Sequence, residues 1–237
     1  MKKTLSSFII VILGTMLAIQ ANAQQKYVGV LFGGNLANES LDSLPGGVSL
    51  SNRIGLLAGI QVERWFNPQW GISSQLMYAQ EGRNEDINGA GTGIFYGFTT
   101  TGNATVETRN IDVDLLLKKT IWGNNVIRTY AFVGPAMGAF LSGSFHSNIT
   151  ISQKGSAFFG GDTTYSIDSV VKTFDFSIVF GVGISVKLNS GPILFLDAGC
   201  WYGLTNIFES YGGATYIRDI RITAGILFPV QLPSLLF

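Results

Sequence analysis

The residues that could do chemistry fall into two groups. The first surrounds the only histidine, His146, which stands near Ser144 and Ser147 with Asp162 and Asp168 farther along. On paper these types could build a serine-hydrolase or barrel acyltransferase site, a carboxylate orienting the imidazole and the imidazole activating a hydroxyl. No Gly-x-Ser-x-Gly elbow presents either serine, and loops are rich in Ser and Asp because both bond their own backbone. The reading is therefore not an enzyme. Gly89-Ala90-Gly91-Thr92-Gly93 lacks the spacing of a phosphate-cradling loop. Glu81, Glu85 and Asp86 could touch a divalent cation, but without interleaved oxygen ligands they read as a solvated acidic turn. Cys200 is the only cysteine, which excludes an intramolecular disulfide and a thiolate metal cluster. No catalytic residue, metal ligand or cofactor is expected.

The second group is a set of charges set singly between apolar neighbours: Glu63, Asp112, Asp114, Lys118, Arg128, Asp175, Lys187, Asp197 and Arg221. Their setting is a period of two. From Thr173 to Leu188 the even positions read Phe174, Phe176, Ile178, Phe180, Val182, Ile184, Val186 and Leu188, and the odd positions are small or polar except Val179. Such alternation is a strand with one apolar face. The same pattern predicts strands at about 26–37, 53–66, 70–82, 104–118, 126–142, 172–188, 192–207 and 217–228. The connections alternate between long and short, with tight turns at Asn67-Pro68-Gln69, Thr120–Asn125 and Asn189-Ser190-Gly191. An even number of strands with long loops at one end is the layout of an outer-membrane barrel.

Composition decides which face is outside. Charged residues make up 13% of the chain and glycines number 30 of 237, against roughly 25% and 7% in soluble domains. A soluble lipocalin-type barrel would need its Gly- and Ser-rich faces to keep the molecule in water. Turned inward, Gly55, Gly59, Gly181, Gly183, Gly199, Gly203 and Gly225 leave room for larger side chains in a narrow lumen, and the bulky faces meet lipid. The nine charges then form a lumen network of ion pairs, with Arg128 expected to pair with Asp112 or Asp114. Trp65, Phe66, Trp70 and Trp122 flank the short turns, where an aromatic girdle would lie.

The N-terminus supplies an address. Lys2 and Lys3 precede an apolar stretch of twelve residues, Phe8 to Ile19, and Ala21-Asn22-Ala23 offers a cleavage site. Residues 1–23 read as a cleaved signal peptide and 24–237 as one outer-membrane β-barrel domain. Without Lys2 and Lys3 the mature chain has 13 basic against 15 acidic residues, so no nucleic-acid partner is expected.

Several segments carry a family resemblance: Val28-Gly29-Val30 through Gly34-Asn35-Leu36, Gln75 to Gly82, Ile111 to Lys118, Gly134-Pro135, Phe174-Asp175-Phe176 through Gly181-Val182-Gly183, and Tyr202 to Ile207. In this order the chain resembles the PorT-like outer-membrane β-barrel domain family, common in Bacteroidetes-type bacteria, across essentially the whole mature sequence. Two departures stand out. Asp114 occupies a position where the family often has Pro, and Phe228 is followed by a tail containing Pro229 and Pro233. The resemblance implies the outer membrane and, for one branch, type IX secretion and gliding.

These readings converge on an all-β, eight-stranded antiparallel transmembrane barrel of up-and-down meander order, a monomer in outer-membrane lipid with both termini in the periplasm. Its role is structural or a surface interaction with an extracellular or envelope protein; the alternative is a narrow pore or a component of a type IX-like secretion machinery. Phe95, Tyr96, Phe98, Phe158, Phe159 and Tyr165 in the long loops are the candidate contacts. A competing reading makes the third long loop a hairpin, with Asn148–Ser152 and Thr164–Asp168 prolonging the strands on either side.

Overall fold

Where bulky and small residues alternate, the backbone is extended and paired. The computed structural model describes residues 25–37, 39–41, 47–90, 98–124, 126–153, 156–189, 191–208 and 214–230. The signal-peptide residues, the tail beyond Val230, and Phe95 and Tyr96 lie outside them. The strands are β1 (Gln25–Ala37), β2 (Glu39–Leu41), β3 (Val48–Trp65), β4 (Trp70–Ala90), β5 (Phe98–Gly123), β6 (Ile127–Gln153), β7 (Ser156–Ser166), β8 (Phe174–Lys187), β9 (Ile193–Gly203) and β10 (Thr215–Pro229). No helix among the described residues is long and apolar enough to cross a membrane.

Eight of these strands close a ring in the order β1-β3-β4-β5-β6-β8-β9-β10, sealed by antiparallel pairing of β1 with β10 from Tyr27↔Pro229 to Leu36↔Ile220. Closure leaves no backbone edge within the ring, as hydrocarbon requires. The expected barrel is therefore present, with two strands outside the ring: β2 pairs with the start of β10, and β7 pairs with the upper part of β6.

Side chains sort by the pleat. On β8 the outward residues Phe176, Ile178, Phe180, Val182 and Ile184 are exposed, while inward Val179 is fully buried. The same division separates Ile220 and Ile222 from Asp219, Arg221 and Thr223 on β10. Small inward residues make room for large ones. A Cβ on Gly183 would collide with Asp197 Oδ1 and the Tyr130 ring, and one on Gly199 would sit 3.0 Å from Phe132 Cζ.

The tight turns are built by side chains that replace backbone partners. Asn67 Oδ1 accepts hydrogen bonds from the amides of Gln69 (2.8 Å) and Trp70 (2.9 Å). Asn124 Oδ1 does the same for Val126 (2.8 Å) and Ile127 (2.9 Å). Asn side chains commonly mimic a turn in this way. The third turn uses Gly191 at φ 104°, a conformation that favours glycine.

The opposite end departs from the sequence reading in length. β5 has 26 residues and β6 has 27, whereas a tilted strand crosses a bilayer in roughly 9–11. Above the barrel they pair on with the ends of β3 and β4 and with β7, giving a five-stranded sheet, here termed the blade. The third long connection does contain a hairpin, but its returning arm is a strand of its own. β6 pairs with β8 up to Ala139↔Phe174 and then with β7 from Ser144↔Ser166. Between the two, Ile167 to Thr173 turns aside over the barrel mouth, where Val171 bridges to Phe208.

Candidate functional site

Two polar clusters and an apolar layer fill the lumen. In the upper cluster the Arg221 guanidinium is the hub. Nη1 donates to Asp112 Oδ2 at 2.7 Å, and Nη2 donates to Glu81 and lies 3.4 Å from Asp219 Oδ2. Its plane rests on Trp201, 4.5 Å from the ring centre, and Trp201 Nε1 donates to Asp114 Oδ2 at 3.2 Å. Asn35 donates to Asp219 (3.2 Å) and Asn110 to Glu81 (2.6 Å). Gly138 is the register partner of both Asp112 and Asp175, so the two carboxylates flank it at one level.

The lower cluster is organised by Lys118, which is 0% exposed. Its ammonium lies 2.7 Å from Glu63 and 3.6 Å from Asp197. Tyr130 donates its hydroxyl to Asp197 at 2.5 Å, and its ring lies 4.4 Å from the Lys118 nitrogen. Glu63 also accepts from Gln61 (3.0 Å) and Trp65 Nε1 (2.6 Å). Leu116 separates Asp114 from Lys118 along β5, and with Met77, Phe132 and Val179 it forms the apolar layer between the clusters. The space remaining near Glu81, Asn110 and Asp175 is about 10 Å³, and that near Tyr27, Arg128 and Lys187 about 20 Å³. Each is about the size of one water.

The structure thus brings Glu63, Lys118 and Asp197 together, and Asp112, Asp114, Asp175 and Arg221 together, in two clusters rather than one network. Lys187 stands at the mouth beside the short turns, with Tyr27, Asn124 and Arg128, apart from both. Arg128 does not pair with Asp112 or Asp114: its guanidinium stacks on Trp65, 3.8 Å from the ring centre. The register explains this, since Arg128 faces Gly123 whereas Asp114 faces Ala136, eight residues up β6 and about 26 Å away at 3.3 Å per residue. Trp65 is itself inward and 5% exposed, so it is no part of a girdle, whereas Phe66 and Trp122 are exposed beside the turns.

Glu81 and Asp219 belong to the upper cluster although the charge pattern omitted them. Asp219 stands two residues before Arg221 on the same face of β10, a signal available from alternation. Glu81 shares the inward phase of Gln75 and Met77 on β4.

On the blade, His146 contacts Thr164 Oγ1 at 2.7 Å through Nδ1 and lies 3.3 Å from Asp162 through Nε2. Ser144 shares this outer face, whereas Ser147 points to the other side and is buried. The His146 and Asp162 side chains are 52% and 62% exposed, where water screens charge pairs. Asp168 Oδ1 accepts from the Gly143 amide at 2.8 Å and closes the base of β7. A cleft of about 350 Å³ opens beside it, lined by Glu107, Arg109, Ser142, Ser144 and Ser166 among others. Among the described residues no group of three or more His, Cys, Asp or Glu is placed to hold a metal ion. Of the loop aromatics, Phe159 and Tyr165 are exposed on β7. Phe98 and Phe158 lie in β5 and β7, their side chains outside the described set.

The closed ring agrees with known proteins. The chain is similar in structure to the outer membrane protease OmpT from Escherichia coli, at 11% identity and a TM-score of 0.50, covering 88% of this chain and 98% of that one. It is also similar to OprG from Pseudomonas aeruginosa (13% identity, TM-score 0.45, 89% and 97% covered). For Ail of Yersinia pestis, solved with a heparin analogue, the values are 14%, 0.37, 86% and 100%. No curated protein matches the sequence. At these identities the likeness is one of fold. The profile of the family described as outer membrane protein beta-barrel domain matches residues 20–209, most of the chain, and the chain belongs to that family of the bacterial outer membrane.

Proposed function

We propose that this chain is a non-enzymatic outer-membrane protein whose working part is the blade that β3 to β7 raise above the lipid. Strand length carries the reading: β5 and β6 have 26 and 27 residues, and their surplus over a membrane crossing emerges on one side, paired from Arg109↔Ser142 to Phe98↔Gln153 beyond a bulge at Arg109 and Asn110. Recognition usually lives in segments that a rigid scaffold holds out into solvent. The residual spaces of about 10 and 20 Å³ in the lumen favour a surface role over conduction. In this reading the chain is exported with a signal peptide removed after Ala23, acts as a monomer in outer-membrane lipid, and meets an extracellular or envelope protein. Phe95, Tyr96, Phe98, Phe158, Phe159 and Tyr165 are the candidate contacts. The His146, Asp162 and Thr164 set is a surface hydrogen-bond group, open to water on a sheet face.

A second reading rests on the PorT-like segments and makes the chain a PorT-family component of a type IX-like secretion machinery, or a narrow pore. Contacts would then come from the periplasmic turns and the tail after Phe228.

Trimming the blade separates the two. Residues 88–101 and 148–162 are each replaced by Asn-Gly, which closes the hairpins on the hydrogen-bonded register pairs Ile87↔Gly102 and Ser147↔Thr163. The trimmed protein should insert and keep heat-modifiable mobility while losing the surface phenotype that gene deletion removes. Retention of that phenotype would refute the blade reading.

A further inference from the structure

β7 pairs with β6 on one side and with no other strand among the described residues. Its free side can be read from the pairing. The amide of Ile167, one residue past β7 and in register with Gly143, donates to the Gly143 carbonyl at 3.1 Å. Backbone groups alternate sides along a strand, so the odd residues of β7 from Phe159 upward face β6. Gly160, Asp162, Thr164 and Ser166 then direct their N–H and C=O groups outward. Natural edge strands are usually guarded by Lys, Pro or inward-pointing charge. β7 reads Ser-Ala-Phe-Phe-Gly-Gly-Asp-Thr-Thr-Tyr-Ser, with no Lys, Arg or Pro.

We propose that the free edge of β7 is a docking site for an extended polypeptide segment of another protein, which adds a strand to the blade. This rests on the surface reading above and names the partner's chemistry. Donor and acceptor groups recurring every second residue, about 6.8 Å apart, match a polypeptide backbone and neither a sugar nor a lipid headgroup. A second copy in the same membrane fits poorly. β7 follows β6, which leaves the barrel at a tilt of about 35–45°, and a twofold axis along the membrane normal would cross the two β7 edges at about 70–90°. The flanking side chains specify the guest. Phe159 (64% exposed) and Tyr165 (52%) offer aromatic surface on one face, and the single charge, Asp162, stands on the other. The guest strand therefore alternates apolar residues with polar ones that include Lys or Arg.

The test uses the full-length barrel in lipid nanodiscs and a displayed library of random twelve-residue peptides. Selected peptides should alternate apolar and polar residues, carry a basic residue, and slow hydrogen exchange at Gly160, Asp162 and Thr164. Thr164→Pro removes one outward amide without touching a bond to β6 and should weaken binding at least tenfold. Thr164→Ala, which loses only the contact to His146, should bind within about twofold of the parent. Failure to select binders, or binders indifferent to Thr164→Pro, would overturn the proposal. So would a detergent-stable dimer that Thr164→Pro disperses, since the occupant would then be a second copy. If trimming the blade abolishes the surface phenotype while Thr164→Pro leaves peptide binding intact, the edge is wrong and the surface reading survives.

Discussion

Replacing Lys118 by Met tests whether the lower lumen cluster is a buried ion group or a solvated one. The ammonium lies 2.7 Å from Glu63 and 3.6 Å from Asp197, and all three side chains are 5% exposed or less. Met keeps most of the stem's volume but leaves two carboxylates facing each other without their cation. Breaking a buried pair in this way costs about 3–5 kcal/mol. With a urea dependence of about 2 kcal/mol/M, the unfolding midpoint should fall by about 1.5–2.5 M. The measurement is urea unfolding of the barrel in lipid vesicles, followed by tryptophan fluorescence and checked by heat-modifiable mobility. Lys119 is the control, because it is exposed on the other face of β5 and lies over Trp70 at 5.2 Å. Its loss should cost about 1 kcal/mol at most, a shift near 0.5 M. Adding Glu63→Gln and Asp197→Asn to Lys118→Met should recover most of the loss. A single-variant shift no larger than that of Lys119→Met, or no recovery in the triple variant, would show that water already solvates the site.

Val182→Arg places a charge on the lipid-facing side of β8 and should cost about 2–4 kcal/mol near the midplane, whereas Val182→Leu should be nearly silent in the same unfolding assay. Gly183→Ala forces a Cβ against Asp197 and Tyr130 and should cost about 1–3 kcal/mol; Gly34→Ala, whose Cβ would meet only the Gly55 carbonyl at 3.4 Å, is the tolerated comparison. In planar bilayers the parent protein should show no discrete conductance steps, and reproducible steps would favour the pore reading.

The barrel was legible because hydrocarbon enforces a pattern. Wherever one face of a strand meets lipid, as from Phe174 to Leu188, bulky and small residues must alternate, and the inward charges stand out among their apolar neighbours. The blade was illegible for the same reason in reverse. Beyond the lipid both faces of a strand tolerate polar residues, so runs such as Glu85-Asp86 on β4 and Thr99 to Thr101 on β5 read as loops although they are paired. Alternation assigns a face but no depth. Depth requires register, which is why alternation alone sets Arg128 against aspartates eight residues too high and makes Glu81 read as part of an exposed turn beside Glu85. Trp65 shows a further ambiguity, since its place near a turn suggests a girdle while its phase, two residues from Glu63, sets it inside.

The seam between β1 and β10 has a consequence for timing. Among neighbours in the ring, most pairs join strands adjacent in the chain, through a tight turn or an external connection. The seam joins Tyr27 to Pro229 and Leu36 to Ile220, so it can form only after nearly the whole chain is present. Bringing such distant segments together carries the largest loop-closure entropy in the molecule, and contacts of long sequence separation are slow to form. During assembly β1 and β10 are therefore the two edges open longest, and whatever guides this chain into the membrane must shelter those two strands until they meet.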